Sequence, residues 1–351
     1  MPVDILAHLK TLVAAPGLSG YESPVRDLIR EAWMPLTNEL GGDNLGSLWA
    51  TKHGSGKKPR KTLMLSAHMD AIGLMVKRVH EGFLWVTEIG GVDARVMPGQ
   101  PVLVHGKEIL PGLVTSTPPH LLSPADRDRA VKLDDLMIDV GLPAERVGEL
   151  VRVGDLISFG QTAFEMNDWL VAKSLDNRAS VAAVTACLDV LQTRQHSWDV
   201  VAVATAQEEE TLGGAFTSAF GLNPDLAIAI DVTFASGPGL PDHKTFSLGD
   251  GPTLGWGPNL HPKLHKAILD IAAKSEIPCR VEIMPMHSGT DAYAIQVSRD
   301  GIPTAVIGLP LKHMHTPVEV VSLKDIIRAG RLMAEFIARL NDDFLMSLSL
   351  D

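Results

Sequence analysis

The sequence predicts an α/β domain interrupted by an inserted all-β domain. Three observations predict it. Apolar runs of strand length alternate with helical periodicity over residues 1–71 and again over 166–351. Between them, residues 72–165 hold only short β-rich runs parted by glycine and proline. A chain of 351 residues also suits one large domain plus a smaller one.

Taken in order, residues 4–14 carry a helical apolar rhythm that Ala15-Pro16-Gly17-Leu18-Ser19-Gly20 breaks. A second helix is predicted over 23–36, with Ser23 as N-cap and Pro24 at the first helical position. A turn at 41–44 and a hairpin-like segment at 45–51 lead to a polar, basic loop at 53–61. Residues 62–67 read as a buried strand, with His68-Met69-Asp70 at its end. In α/β sheets ligands bind beyond the carboxyl ends of strands. The insert shows short runs at 83–86, 101–104, 112–115, 137–140 and 156–159, the pattern of a small barrel or sandwich. After it come a helix at 180–191, strands at 200–206 and 226–232, and a helix at 263–274. A strand at 281–286, a short helix at 291–297, a strand at 304–307 and a final helix over 322–340 complete the chain. The glycine-rich stretch 249–257 reads as a loop beside the pocket.

Composition narrows the function. The formal net charge of −11 disfavours extended contact with nucleic acid, which needs a basic surface. No apolar run has transmembrane length, and no signal peptide is evident, so a cytoplasmic location away from the membrane is expected. Two cysteines, Cys187 and Cys279, form neither a metal motif nor a disulfide framework. No Walker loop occurs, nor a Gly-x-Gly-x-x-Gly between strand and helix, so no nucleotide cofactor is expected. His287-Ser288-Gly289-Thr290-Asp291 lacks a nucleophile elbow and does not read as a serine-hydrolase site.

Potential metal ligands do gather at strand ends and in the loops after them. They are His68 and Asp70, Asp176, Glu208, Glu209 and Glu210, Asp231 and His315. Buried carboxylates are costly unless paired or bound to metal. The mixed oxygen and nitrogen donors suit zinc, cobalt or manganese. A carboxylate can bridge two ions and an imidazole cannot readily do so. One ion per histidine with a shared aspartate is therefore a sensible arrangement, the ions about 3.5–4 Å apart.

The order and spacing of several stretches resemble the M42 metallo-aminopeptidases. These include glutamyl aminopeptidase-like and TET peptidases, and some members carry cellulase or endoglucanase labels. The stretches are Gly17-Leu18-Ser19-Gly20-Tyr21-Glu22, Ala67-His68-Met69-Asp70-Ala71-Ile72-Gly73, Pro118-Pro119-His120 and Arg152-Val153-Gly154-Asp155. Gln207-Glu208-Glu209, Gly289-Thr290-Asp291-Ala292 and His315-Thr316-Pro317-Val318-Glu319 continue the match over nearly the whole chain. The resemblance implies a mixed-sheet α/β metallopeptidase domain, residues 1–71 and 166–351. It also implies a PDZ-like β-barrel at 72–165 that drives dimerisation, and a twelve-subunit tetrahedral shell built from the dimers. Carried over, His68 and Asp231 hold one metal, Glu209 and His315 the other, and Asp176 bridges them. Glu208 becomes the general base, and Asp70 orients His68. The implied cofactors are two divalent ions, Zn2+ or Co2+ before Mn2+.

The activity implied is removal of amino acids from the free N-terminus of short peptides, by attack of a water held between the ions. A dinuclear carboxypeptidase or an N-acyl amino acid deacylase is the alternative, separated by its handling of a blocked amine. Glycoside hydrolysis and a non-catalytic scaffold fit less well, because the acids are better explained as ligands. The chain departs from the family pattern at Asn177, Glu210, Thr211, Gly213, Lys312 and His313. These positions lie beside the expected ligands, where they bear on substrate preference, metal affinity or loop shape.

Overall fold

The computed structural model of the protein describes residues 2–124 and 129–350; residues 1, 125–128 and 351 lie outside the described residues. In chain order the strands are β1 (Glu39–Gly42), β2 (Leu48–Lys52), β3 (Thr62–His68), β4 (Gly73–His80), β5 (Phe83–Ile89), β6 (Pro101–His105), β7 (Ile109–Ser116), β8 (Leu136–Asp139), β9 (Leu156–Phe159), β10 (Phe164–Met166), β11 (Trp169–Ala172), β12 (Asp199–Thr205), β13 (Leu226–Phe234), β14 (Thr253–Trp256), β15 (Arg280–Ile283), β16 (Thr304–Lys312) and β17 (Glu319–Ser322). Eleven of them form one sheet in the order β1-β2-β12-β3-β13-β16-β17-β11-β10, with β14 and β15 joined at β16. β12, β3, β13 and β16 run parallel, and the flanking pairs are antiparallel. The fold class is the one expected: a mixed α/β sheet plus a closed, six-stranded antiparallel barrel, β4-β5-β8-β7-β6-β9.

Alternation along the parallel strands explains where the core ends and the site begins. On β3, Leu63, Leu65 and Ala67 face the main core, under the helices Ile5–Ala14, Leu175–Val190 and Leu323–Ile337. The opposite face of β3 reads Met64, Ser66, His68; on β12 it reads Val201, Val203, Thr205; on β13 it reads Ala227, Ala229, Asp231. Each strand turns from apolar to polar toward its carboxyl end. Small side chains of the helices Gly213–Leu222 and Asp291–Gln296, among them Ala215, Ala219 and Ala294, close the apolar part of this face. The polar part is left for the cleft.

Several local expectations are corrected. Ser23 is the first residue of the helix Ser23–Trp33 and Glu22 is its N-cap, without a side-chain capping bond. Glu22 is committed elsewhere, as described below. The helix then tightens into a 3₁₀ turn at Met34–Leu36. The 249–257 stretch is not all loop, because Thr253–Trp256 is the strand β14, paired with β15 and β16. β1, β4, β10, β11, β17 and the helix Gly213–Leu222 had no counterpart in the sequence reading. That helix starts on two glycines and has few strong helix formers, so propensity hides it. No helix among the described residues is long and apolar enough to cross a membrane.

Candidate metal centre

β3 delivers His68, and in the register of β12 against β3 the residues Thr205 and His68 lie opposite. Ala229 of β13 pairs with Ser66, so Asp231 and His68 fall two residues further along, on the same face. Asp176 sits in the first turn of the helix Leu175–Val190, where its backbone is extended rather than helical. Glu208 and Glu209 open the short helix Glu208–Thr211 that follows β12. His315 lies in the loop between β16 and β17.

These elements bring the carboxylates and imidazoles together. His68 Nε2 is 3.2 Å from Asp176 Oδ1, 3.7 Å from Asp231 Oδ1 and 3.7 Å from Glu208 Oε2. His315 Nε2 is 3.5 Å from Asp176 Oδ2 and 3.5 Å from Glu209 Oε2. Two groups able to hold a cation result: His68, Asp176 and Asp231, and Asp176, Glu209 and His315, the atoms of each within 4.8 Å of one another. Asp176 belongs to both, one oxygen toward each histidine.

Electrostatics without a cation is unfavourable. Burial pushes the Glu209 carboxyl up to about 8 and Asp231 to about 6, with the charge of Asp176 adding to both shifts. Burial also drives Glu208 well above its ordinary value, against the pull of His68 and with the push of Asp231, Asp291 and Glu209. Burial opposes the charge on Asp176 as well, but hydrogen bonds from His315 and His68 hold it down at about 2. The bond to Asp176 pushes His315 up to about 9. Such a set of buried acids is relieved by divalent cations, and a mixed carboxylate–imidazole donor set is chemically suited to them.

A second layer of carboxylates builds the centre by holding backbone. Asp70 is fully buried and accepts bonds from the amides of Glu208 (3.0 Å) and Glu209 (3.2 Å). His68 Nδ1 faces the Asp70 carbonyl at 3.3 Å, which leaves Nε2 to point into the cleft. Glu319, absent from the sequence reading as a site residue, accepts from the amides of Asp176 (3.1 Å) and His315 (3.0 Å). Glu22 accepts from Gly20 and Gln207, which is why it does not cap its own helix. Asp291 accepts from the Ser66 and Thr205 hydroxyls. Arg178 spends its buried guanidinium on the carbonyls of Leu12, Ala15, Gly17 and Met69. Left-handed backbone at Ser174, Gln207, Leu212, His313 and His315 surrounds the cluster. Such conformations cost about 1 kcal/mol or more each outside glycine and concentrate where function requires them.

Of the departures from the family pattern, Glu210 faces away from the ligands, and its Oε1 accepts from the Gly90 amide at 2.7 Å. Lys312 lies over the Trp169 ring at 4.7 Å, not in the cleft. Asn177 is buried and donates to the Ile230 carbonyl at 2.9 Å. Above the cluster opens a cleft of about 610 Å³, whose walls include Leu212, Glu282, Met284 and Tyr293.

Comparison with known proteins places this geometry in context. A family profile described as M42 glutamyl aminopeptidase matches residues 46–332. The lysyl aminopeptidase of Pyrococcus furiosus is 34% identical over 339 residues, covering 95% of this chain and 96% of that protein. The crystal structure of a TET aminopeptidase from a marine sediment Thaumarchaeota archaeon superposes with a TM-score of 0.93 at 31% identity, covering 98% and 99% of the two chains. The TET1 peptidase of Pyrococcus horikoshii, which can assemble into a tetrahedron or a large octahedral shell, gives 0.83 at 30% identity, covering 96% and 100%. With the profile spanning most of its length and relatives of this identity covering nearly all of it, the chain belongs to the M42 glutamyl aminopeptidase family.

Proposed function

We propose that this aminopeptidase works with a dinuclear centre in which His68 and Asp231 hold one divalent ion, Glu209 and His315 the other, and Asp176 both. The observation that carries the reading is Asp176, with Oδ1 3.2 Å from His68 and Oδ2 3.5 Å from His315. Zn2+ or Co2+ is the proposed pair, ahead of Mn2+, on the strength of the donor set. When bound, the ions supply a water of lowered pKa and positive charge for the oxyanion that forms at the scissile carbonyl.

Glu208 is the proposed general base. It lines the cleft and belongs to neither ligand group, and burial raises the proton affinity of its carboxyl above that of an ordinary carboxylate. It takes the proton of the attacking water and passes it to the leaving amine. Asp70 positions it by holding the Glu208 amide and keeps His68 Nδ1 turned from the cleft. The free α-amine of the substrate is attracted to the surrounding acids, which accounts for the need for an unblocked N-terminus.

The barrel, residues 72–165, is proposed as the dimerisation domain of a tetrahedral dodecamer, by likeness to the shell-forming relative. A cytoplasmic location is proposed with it, in keeping with two free cysteines. The test uses protein stripped of metal and reconstituted with zinc or cobalt. It is given one peptide set, each member free and N-acetylated, and products are read by mass spectrometry. Stepwise loss from free N-termini alone is expected. Cleavage of acetylated forms, or loss from the C-terminus, replaces this reading with a deacylase or carboxypeptidase.

A further inference from the structure

We infer that the cleft selects peptides whose N-terminal residue has a basic side chain, and that the Glu282 carboxylate is the group that selects it. The inference rests on the aminopeptidase reading above. Thr233 lies two residues beyond Asp231 on the same face of β13, roughly 7 Å further along the strand. Its hydroxyl donates to Glu282 Oε1 at 2.7 Å, and the Thr253 hydroxyl donates to Glu282 Oε2 at 2.7 Å. The carboxylate is thus fixed by one neutral donor on each oxygen, with acceptor capacity left over. Gly308, paired with both Asp231 and Thr253, keeps this place open. A Cβ there would lie 2.2 Å from Thr253 Oγ1 and 3.1 Å from Glu282 Oε2.

The chemistry of the wall then favours one kind of side chain. Met284, two residues after Glu282, offers apolar contact beside the acid. A flexible four-carbon stem ending in a cation satisfies both. Among the described residues lining the cleft none is lysine or arginine. An acidic N-terminal residue therefore meets the like charge of Glu282 with no lysine or arginine of the cleft to offset it, although the family description is glutamyl aminopeptidase. Glu282 has no ion-pair partner within the described residues, and burial pushes its carboxyl up, which a substrate cation would reverse.

The test compares three tripeptides that differ only at the first residue: lysine, norleucine and glutamate. Norleucine has the same stem without the charge. For the metal-reconstituted protein, kcat/KM for lysine is expected to exceed that for norleucine by about tenfold or more, with glutamate lowest. Glu282→Gln keeps the shape and one threonine donor contact, while the other hydroxyl turns to accept from the amide, and it should bring lysine level with norleucine mainly through KM. Norleucine equalling lysine in the unaltered protein, or an unchanged ratio in E282Q, overturns the inference while leaving the aminopeptidase intact. Failure to cleave any of the three overturns the aminopeptidase reading and this inference together.

Discussion

Two regions of the molecule meet at His315 and contribute in opposite ways. From the sheet side come charged groups: His68, Asp176, Glu209 and Asp231, backed by Asp70 and Glu319 on the amides that position them. From the barrel side come two glycines at the end of β5. Gly90 donates its amide to Glu210, and Gly91 lies so close to the His315 ring that a Cβ there would be 3.0 Å from Nδ1. The sheet works through functional groups and the barrel rim through backbone and the absence of a side chain. A residue's contribution to a site is therefore not measured by its chemical reactivity, and the two regions should fail differently when altered.

The largest effect is expected on the sheet side, in the chemistry itself. Glu208→Gln should lower kcat by about 10²–10⁴-fold while bound metal, measured by atomic emission, stays at the level of the unaltered protein. Full turnover in that variant would remove Glu208 from the role of base. Next is Glu319→Gln, which takes one acceptor from the amides of Asp176 and His315. Metal affinity should fall by about 10–100-fold, and activity should recover at high zinc. An unchanged affinity would show that the second layer of carboxylates is not needed to hold the first.

The third prediction concerns pH. In the metal-stripped protein Glu209, Asp231 and His315 hold their protons more tightly folded than unfolded, with values of about 8, 6 and 9. Their contribution to stability is present at acid pH and lost as pH rises through those values. Asp176, held at about 2, works in the other direction, and its contribution is lost only in strong acid. The melting temperature of stripped protein should therefore fall between about pH 5 and about pH 9. Added zinc should restore most at the alkaline end, where its ligands are already deprotonated. A flat profile for stripped protein would contradict the burial of these acids. The smallest effect belongs to the barrel rim. Gly91→Ala should displace the His315 ring by a few tenths of an ångström and reduce kcat/KM by about two- to fivefold. A loss as large as that of E208Q would erase the contrast between the regions.

The sequence was most legible where chemistry and periodicity coincide. Apolar runs ending in His68, in the three glutamates and around Asp231 mark strands and their carboxyl ends together. Glu319 and Asp291 stood inside stretches that carried the family resemblance, yet nothing in their spacing says that one accepts backbone amides and the other hydroxyls. His315 is only four residues from Glu319, but the other partners are distant: Asp176 is 143 residues from Glu319, and Ser66 and Thr205 are 225 and 86 from Asp291. β4 escaped for a different reason. Its burial fades from Gly73 to His80, and its pairing slips between Val76 and Arg78, so strict alternation is lost. Glu282 was invisible because its role depends on Thr233 and Thr253 converging from two other strands.

The two histidines differ in their surroundings, and a functional asymmetry follows. His68 is part of a strand and 2% exposed at its side chain, whereas His315 rides on a loop and is 37% exposed. On the proposed assignment, the ion at His315 exchanges with solvent faster than its neighbour. Dilution or a mild chelator would first yield a half-loaded enzyme, and activity would track the concentration of the faster-exchanging metal while the slower one stayed in place.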